Sequence, residues 1–226
     1  MIFEWCTDGF EGVGHAEELG VKRIELCGAL EIGGITPAES LVKTVREEFQ
    51  GEIFVMIRPR GGDFSYSIRE IELMKEDIRM CARHGVEGVV FGLLTSENTI
   101  KIDSTKVLTE LAHELGLKVT FHRAIDFTSD PISAFRDVKE LGVDYVLSSG
   151  GEHSALEGIE TLAQMAMQQS ENCRLIAGAG VNPSQVGKFR SIGVGVHCTA
   201  RVAQSELGKN MGDNFTLDRL KIEGMI

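Results

Sequence analysis

One junction, used repeatedly, constrains this chain more than any other feature. "ELGVKRIEL", "RHGVEGVVF", "ELGLKVTF" and "ELGVDYVL" each run from helix-forming residues through a glycine into an apolar stretch. Glycine just past a helix supplies a left-handed cap that other residues adopt only with strain. Gly20, Gly85, Gly116 and Gly142 therefore mark points where a helix stops and a strand begins one or two residues later. Repetition of that unit builds a parallel sheet covered by helices. Apolar runs begin near residues 2, 23, 53, 87, 118, 144, 174 and 195, which makes eight candidate strands. The segments between them carry helical spacing. The clearest is 67–85, with Ile68, Ile71, Met74, Ile78 and Cys81 at steps of three or four. Further helices are expected over 103–116, 130–142 and 156–170, capped by Asp103, Asp130 and Ser154. Eight such units predict an α/β fold, a single (β/α)8 TIM barrel spanning residues 1–226, with 202–226 an uncertain C-terminal segment. The rival is an open doubly wound sheet, which would carry Gly-x-Gly-x-x-Gly after its first strand. "CTDGFEGVG" has the wrong position and spacing for that motif.

Charge and cysteine usage narrow the function classes. The net charge of −11 argues against a duplex nucleic-acid partner, whose affinity rests on a basic surface. No apolar run approaches the roughly 20 residues that span a bilayer. No basic start leads into an apolar segment of the signal-peptide kind. The five cysteines are scattered and never form Cys-x-x-Cys. The expectation is a cytoplasmic protein with reduced thiols, without nucleic-acid or membrane partners.

Strand side chains alternate between faces. In "FEWC" the apolar parity is Phe3 and Trp5; in "RIELC" it is Ile24 and Leu26; in "VTFH" it is Val119 and Phe121. Helices cover the outside of a barrel, so the apolar parity faces outward and the polar parity inward. Glu4, Cys6, Glu25, Cys27, Arg58, His122 and His197 then converge on the interior, mostly near strand C-terminal ends, where this fold builds its sites. The third run, "FVMIRPRGGDF", ends in Arg58, Arg60 and Asp63, which reads as the rim and wall of a polar mouth. A buried Glu25–Arg58 ion pair serving structure alone is the plainer alternative. His15, His84 and His113 sit on expected helices and read as solvated; His153 falls in a turn.

Two glycine-rich turns add a candidate anion site. "SSGG", with Ser149 and Gly150, follows the sixth strand, and "GAGVNP", with Gly178 and Gly180, follows the seventh. Glycines let a backbone approach a ligand, and a loop opening a helix offers free N–H groups to an anion. The loops after strands seven and eight hold phosphate in many barrels, and Arg201 follows the eighth. With Arg58 and Arg60, these groups predict an oxyanion at the mouth, opposed by competition from Asp63 and Glu25.

Cys6 and Cys27 end neighbouring strands on the inward parity. Adjacent strands lie ~4.8 Å apart, so the sulfurs can meet. Two thiolates suit Cu(I), a soft ion. Packing as two small buried residues is the simpler reading.

"RIELCGALEIGGITP", "VMIRPRGGDFSYS", "GVVFGLLT", "TFHRAID", "VLSSGG" and "AGAGV" occur in an order that resembles the CutC copper-homeostasis family, over about residues 1–201. The resemblance implies a TIM barrel, a cytoplasmic location, a homodimer or higher homo-oligomer, and copper as the ligand. It also implies that Cys6 in "EWCTDG" and Cys27 in "IELCGAL" are the copper ligands. The alternative, read from the residues, is an enzyme of lyase or isomerase type on a small phosphorylated or carboxylated substrate. There Glu25 or His122 serves as acid or base, Arg58 binds the anion, and Asp126 orients a neighbouring arginine or histidine.

Overall fold

The computed structural model describes residues 1–199, 201–203 and 215–225. Eight parallel strands close into a barrel in sequence order. They are β1 (Phe3–Thr7), β2 (Arg23–Leu26), β3 (Glu52–Met56), β4 (Gly88–Phe91), β5 (Lys118–Phe121), β6 (Tyr145–Ser148), β7 (Arg174–Ala177) and β8 (Gly195–Cys198). β8 pairs back onto β1, which closes the ring. Helices α1 (Phe10–Glu18), α2 (Glu39–Glu48), α3 (Ile68–Arg83), α4 (Ile102–Glu114), α5 (Pro131–Glu140), α6 (Ile159–Ala166) and α7 (Val186–Ser191) fill the connections.

The four junction glycines behave as the sequence predicts. Gly20, Gly85, Gly116 and Gly142 all have φ between 68° and 85°. Helix starts follow local chemistry. Ser67 accepts from the Glu70 amide while Glu70 reaches back to the Ser67 amide, a reciprocal cap that begins α3. Asp130 caps α5 by accepting from the amides of Ile132 and Ser133. Ser154 and Asp103 do not cap as expected. Lys101 precedes α4 and leaves Asp103 inside its first turn. α6 starts only after Gly158, because residues from Ser154 onward form turns.

Alternate strand residues face opposite sides of the sheet as the sequence predicts. Trp5, Ile24, Leu26, Val55, Val119, Phe121 and Val196 belong to one large core between sheet and helices. Cys6, Cys27, Phe54, Met56 and Val90 form a separate small cluster, on the opposite strand parity and therefore inside the barrel. Beyond β8, strands β9 (Arg201–Ala203) and β10 (Phe215–Leu217) pair antiparallel outside the barrel. A last helix, α8 (Arg219–Glu223), follows, and Met225 is buried in the large core. Within the C-terminal segment, residues 204–214 lie outside the described residues, and Phe215 begins β10.

Candidate functional site

The C-terminal ends of the strands surround a cavity of about 760 Å³. Its size falls within the range of small-molecule sites. Cys6, Glu25, Arg58, Asp63, His122 and Gly180 line it, as the sequence suggests.

The cluster at its base begins with pairing register. Cys6 on β1 lies opposite Glu25 on β2, and Glu4 lies opposite His197 on β8. Glu25 Oε2 accepts from Cys6 Sγ at 3.1 Å and from Cys27 Sγ at 3.5 Å. The two sulfurs are 3.9 Å apart. His197 Nε2 stands 3.9 Å from the same carboxylate oxygen, and its Nδ1 is 2.8 Å from Glu4 Oε1. Glu4 also pairs with Arg23 at 2.6 Å. Arg23 donates to Thr120 and packs against two rings, 3.4 Å from the Phe54 centroid and 4.1 Å from that of Tyr145. Polar side chains on the inward parity thus form one connected plug.

Burial sets the protonation states. It pushes Glu4 upward, but the charges of Arg23 and His197 reverse this and hold the carboxyl at about 2. Burial likewise raises Glu25, and the nearby Glu4 charge adds to the effect. His197 goes the other way: burial opposes its charge, yet Glu25, Cys6 and Glu4 raise it well above the usual histidine range. The Cys6 thiol is pushed well up by its hydrogen bond with Cys27 and by burial. The bond to Cys6 lowers the Cys27 thiol, but burial and Glu25 outweigh it and push the group up to about 12. Without a metal, both sulfurs remain protonated at neutral pH.

Arg58 does not pair with Glu25. Its guanidinium donates to the carbonyls of Ile32, Gly34 and Gly62 at 3.0, 3.0 and 2.7 Å. It thereby fastens the 28–35 loop, whose Gly34 has φ 81° and would bring a Cβ to 3.0 Å from Cys27 Sγ. Arg60 sits at the surface, bonded to Glu70 at 2.6 Å and Asp63 at 2.9 Å. Asp126 occupies the "SSGG" turn. Its carboxylate accepts from both Ser148 and Ser149 hydroxyls, from the Ser149 and Gly151 amides, and from Arg123 Nε. Those amides therefore already hold an anion, which belongs to the chain. The Gly178 amide is likewise engaged, by the Ser148 carbonyl. Arg201 falls in β9, and its side chain lies outside the described residues.

His122 is 5% exposed. Its Nδ1 accepts from the Ala124 amide at 3.1 Å, so the ring proton sits on Nε2. Nε2 meets no hydrogen-bond partner among the described residues. Burial and then the Arg58 charge hold the ring down to about 3, neutral at physiological pH.

Arg123, Phe127 and Lys221 also line the cavity, and strand parity could not have revealed them. A 3-10 turn over Arg123–Phe127 breaks the period-two rule immediately after β5. Lys221 arrives from α8 and donates to the Thr199 carbonyl at 2.8 Å.

The remaining histidines have surface roles. His84 meets Glu39 and His113 meets Asp144, His15 bonds the Glu11 carbonyl, and His153 is exposed. No helix among the described residues is long and apolar enough to cross a membrane.

Comparison with known proteins gives a consistent answer. The CutC family model matches residues 1–202. A family protein CutC of Xanthomonas campestris is 42% identical over 204 residues, covering 89% of this chain and 84% of that protein. The human protein named copper homeostasis protein cutC homolog is 40% identical over 204 residues, covering 89% of this chain and 74% of its own length. A solved structure of CutC from Streptococcus agalactiae superposes with a TM-score of 0.81 at 26% identity, covering 88% of this chain and 98% of that one. A barrel of this order, cysteines at these strand ends and a match over nearly the whole barrel lead to one conclusion: the chain belongs to the CutC family.

Proposed function

We propose that this protein binds Cu(I) as cargo at the base of the cavity, through Cys6 and Cys27 with Glu25 beside them. The observation that carries the reading is the buried triad itself, in which two thiols and one carboxylate lie within 4.8 Å of one another. Thiolates are the soft donors that favour Cu(I). Metal–thiolate bonds of about 2.3 Å would set two sulfurs about 4.6 Å apart if collinear with the metal. The 3.9 Å separation therefore admits one ion in a bent arrangement, with Glu25 Oε2 already at the third corner. The names of the human and mouse relatives, both copper homeostasis proteins, agree with this reading.

The environment points to holding rather than rapid exchange. Cys27 is fully buried, and Cys6 is the sulfur that lines the cavity. Ligation must displace both thiol protons, and the Glu25 carboxylate accepts a hydrogen bond from each thiol. Five free cysteines without a disulfide suit the reducing cytosol, where Cu(I) is also the stable oxidation state. The test is a competition titration against a chromophoric Cu(I) chelator under anaerobic conditions. Wild-type protein should withdraw one Cu(I) per chain, and the Cys6→Ser/Cys27→Ser protein none. Equal stoichiometry in the two proteins would remove the cysteines from the reading.

A further inference from the structure

The copper triad leaves much of the cavity unexplained. Above it stands a wall of different chemistry. Phe64 contacts the His122 ring at 5.0 Å between centroids and the Phe127 ring at 5.4 Å. The Arg58 guanidinium lies 5.0 Å from the same Phe64 ring. Leu30, Ile32, Met56, Leu147 and Val181 make other parts of the lining apolar.

Two features of this wall call for a ligand. The first is His122 Nε2–H, a buried donor in a 95%-buried side chain that lines the cavity, with no acceptor among the described residues. A buried donor left without an acceptor keeps the full cost of its lost hydration, so native structures normally give it a partner. The second is Arg58. It is 5% exposed, and its hydrogen bonds go to three neutral carbonyls rather than to a carboxylate. The wall therefore carries a positive charge that no ion pair of its own cancels. Burial and that charge together keep His122 neutral, so it remains a fixed donor across the physiological range. Arg123, two-fifths exposed and paired with Asp126, adds a weaker positive contribution. A donor and a cation next to two aromatic faces match a negatively charged oxygen on an apolar body. Bare phosphate matches less well, since the amides of the "SSGG" turn that might have cradled it are held by Asp126.

We propose that the cavity is a binding site for a small organic carboxylate, one oxygen accepting from His122 Nε2–H beside Arg58, the apolar body against Phe64 and Phe127. None of these four residues belongs to the copper triad, so failure of the copper reading leaves this site standing, and the reverse.

Benzoate is a suitable probe, with benzyl alcohol lacking the charge and inorganic phosphate lacking the apolar body. Imidazole ¹⁵N correlation spectra report each of the six histidines separately. Benzoate should shift the His122 Nε2 resonance saturably at millimolar concentration, while benzyl alcohol and phosphate bind at least tenfold more weakly. His122→Asn, whose Oδ1 can still accept from the Ala124 amide, should lose at least tenfold in benzoate affinity. Phe127 is 58% exposed, so Phe127→Ala gives a second variant with little risk to folding, and a severalfold loss is expected. An unmoved His122 resonance at 10-fold higher benzoate, equal binding by benzyl alcohol, tighter binding by phosphate, or full affinity in Phe127→Ala would each overturn the proposal.

Discussion

His122 and His197 show how one residue type takes opposite states within one cavity. His197 has two carboxylates for neighbours and is raised; His122 has a guanidinium and is held at about 3. The consequence for stability has a definite sign. An unfolded chain protonates His122 below about pH 6.5 while the folded protein does not, so stability falls as pH drops from that value towards 3. Between pH 7 and pH 5 this group alone removes about 2 kcal/mol. His197 acts in the other sense, with stability present below its unfolded value and lost as pH rises through its raised folded value. Glu4, held at about 2, loses its contribution only below its usual value of 4.5. Both remain in the His122→Asn protein, so comparison cancels them. Urea melts at pH 7 and pH 5 should show wild type losing about 2 kcal/mol more than His122→Asn. Equal losses in the two proteins would mean that His122 titrates normally in the folded state.

At the scale of elements, the strands and their inward faces could be read from the sequence because both follow rigid periodicities. Period-two alternation, with helices outside, placed Glu4, Cys6, Glu25, Cys27, His122 and His197 inside without any coordinates, and the site inherits its chemistry from that set. What could not be read lies where the chain leaves those periods. The turn after β5 swings Arg123 and Phe127 into the lining. Asp126 fills the glycine-rich turn after β6 through contacts 22 or more residues apart in sequence. Arg58 reads as a partner for Glu25, yet its guanidinium is held by the carbonyls of Ile32, Gly34 and Gly62. That last contact has a testable effect on the loop over Cys27. Each hydrogen bond from a charged donor contributes about 1.5–3 kcal/mol. Arg58→Ala should therefore release the 28–35 loop and speed alkylation of Cys27 by iodoacetamide at least about tenfold, followed by peptide mass spectrometry. An unchanged rate would show that the loop is secured by its own backbone, through the paired Gly28 and Ile35.

Across the whole molecule, the barrel places ionisable groups from β1, β2 and β8 around one base while helices keep the exterior of the sheet apolar. Burying Glu4, Arg23, Glu25 and His197 together is tolerable because they neutralise one another in a connected plug. On that plug rest two thiols, kept protonated in the absence of metal. Under the proposed function, copper sits between them. X-ray absorption at the copper K-edge of protein loaded anaerobically with one equivalent of Cu(I) tests this directly. The prediction is two sulfur scatterers per copper in the wild type, with none in Cys6→Ser/Cys27→Ser. Copper surrounded only by nitrogen and oxygen, or a spectrum unchanged by removal of both cysteines, would contradict it.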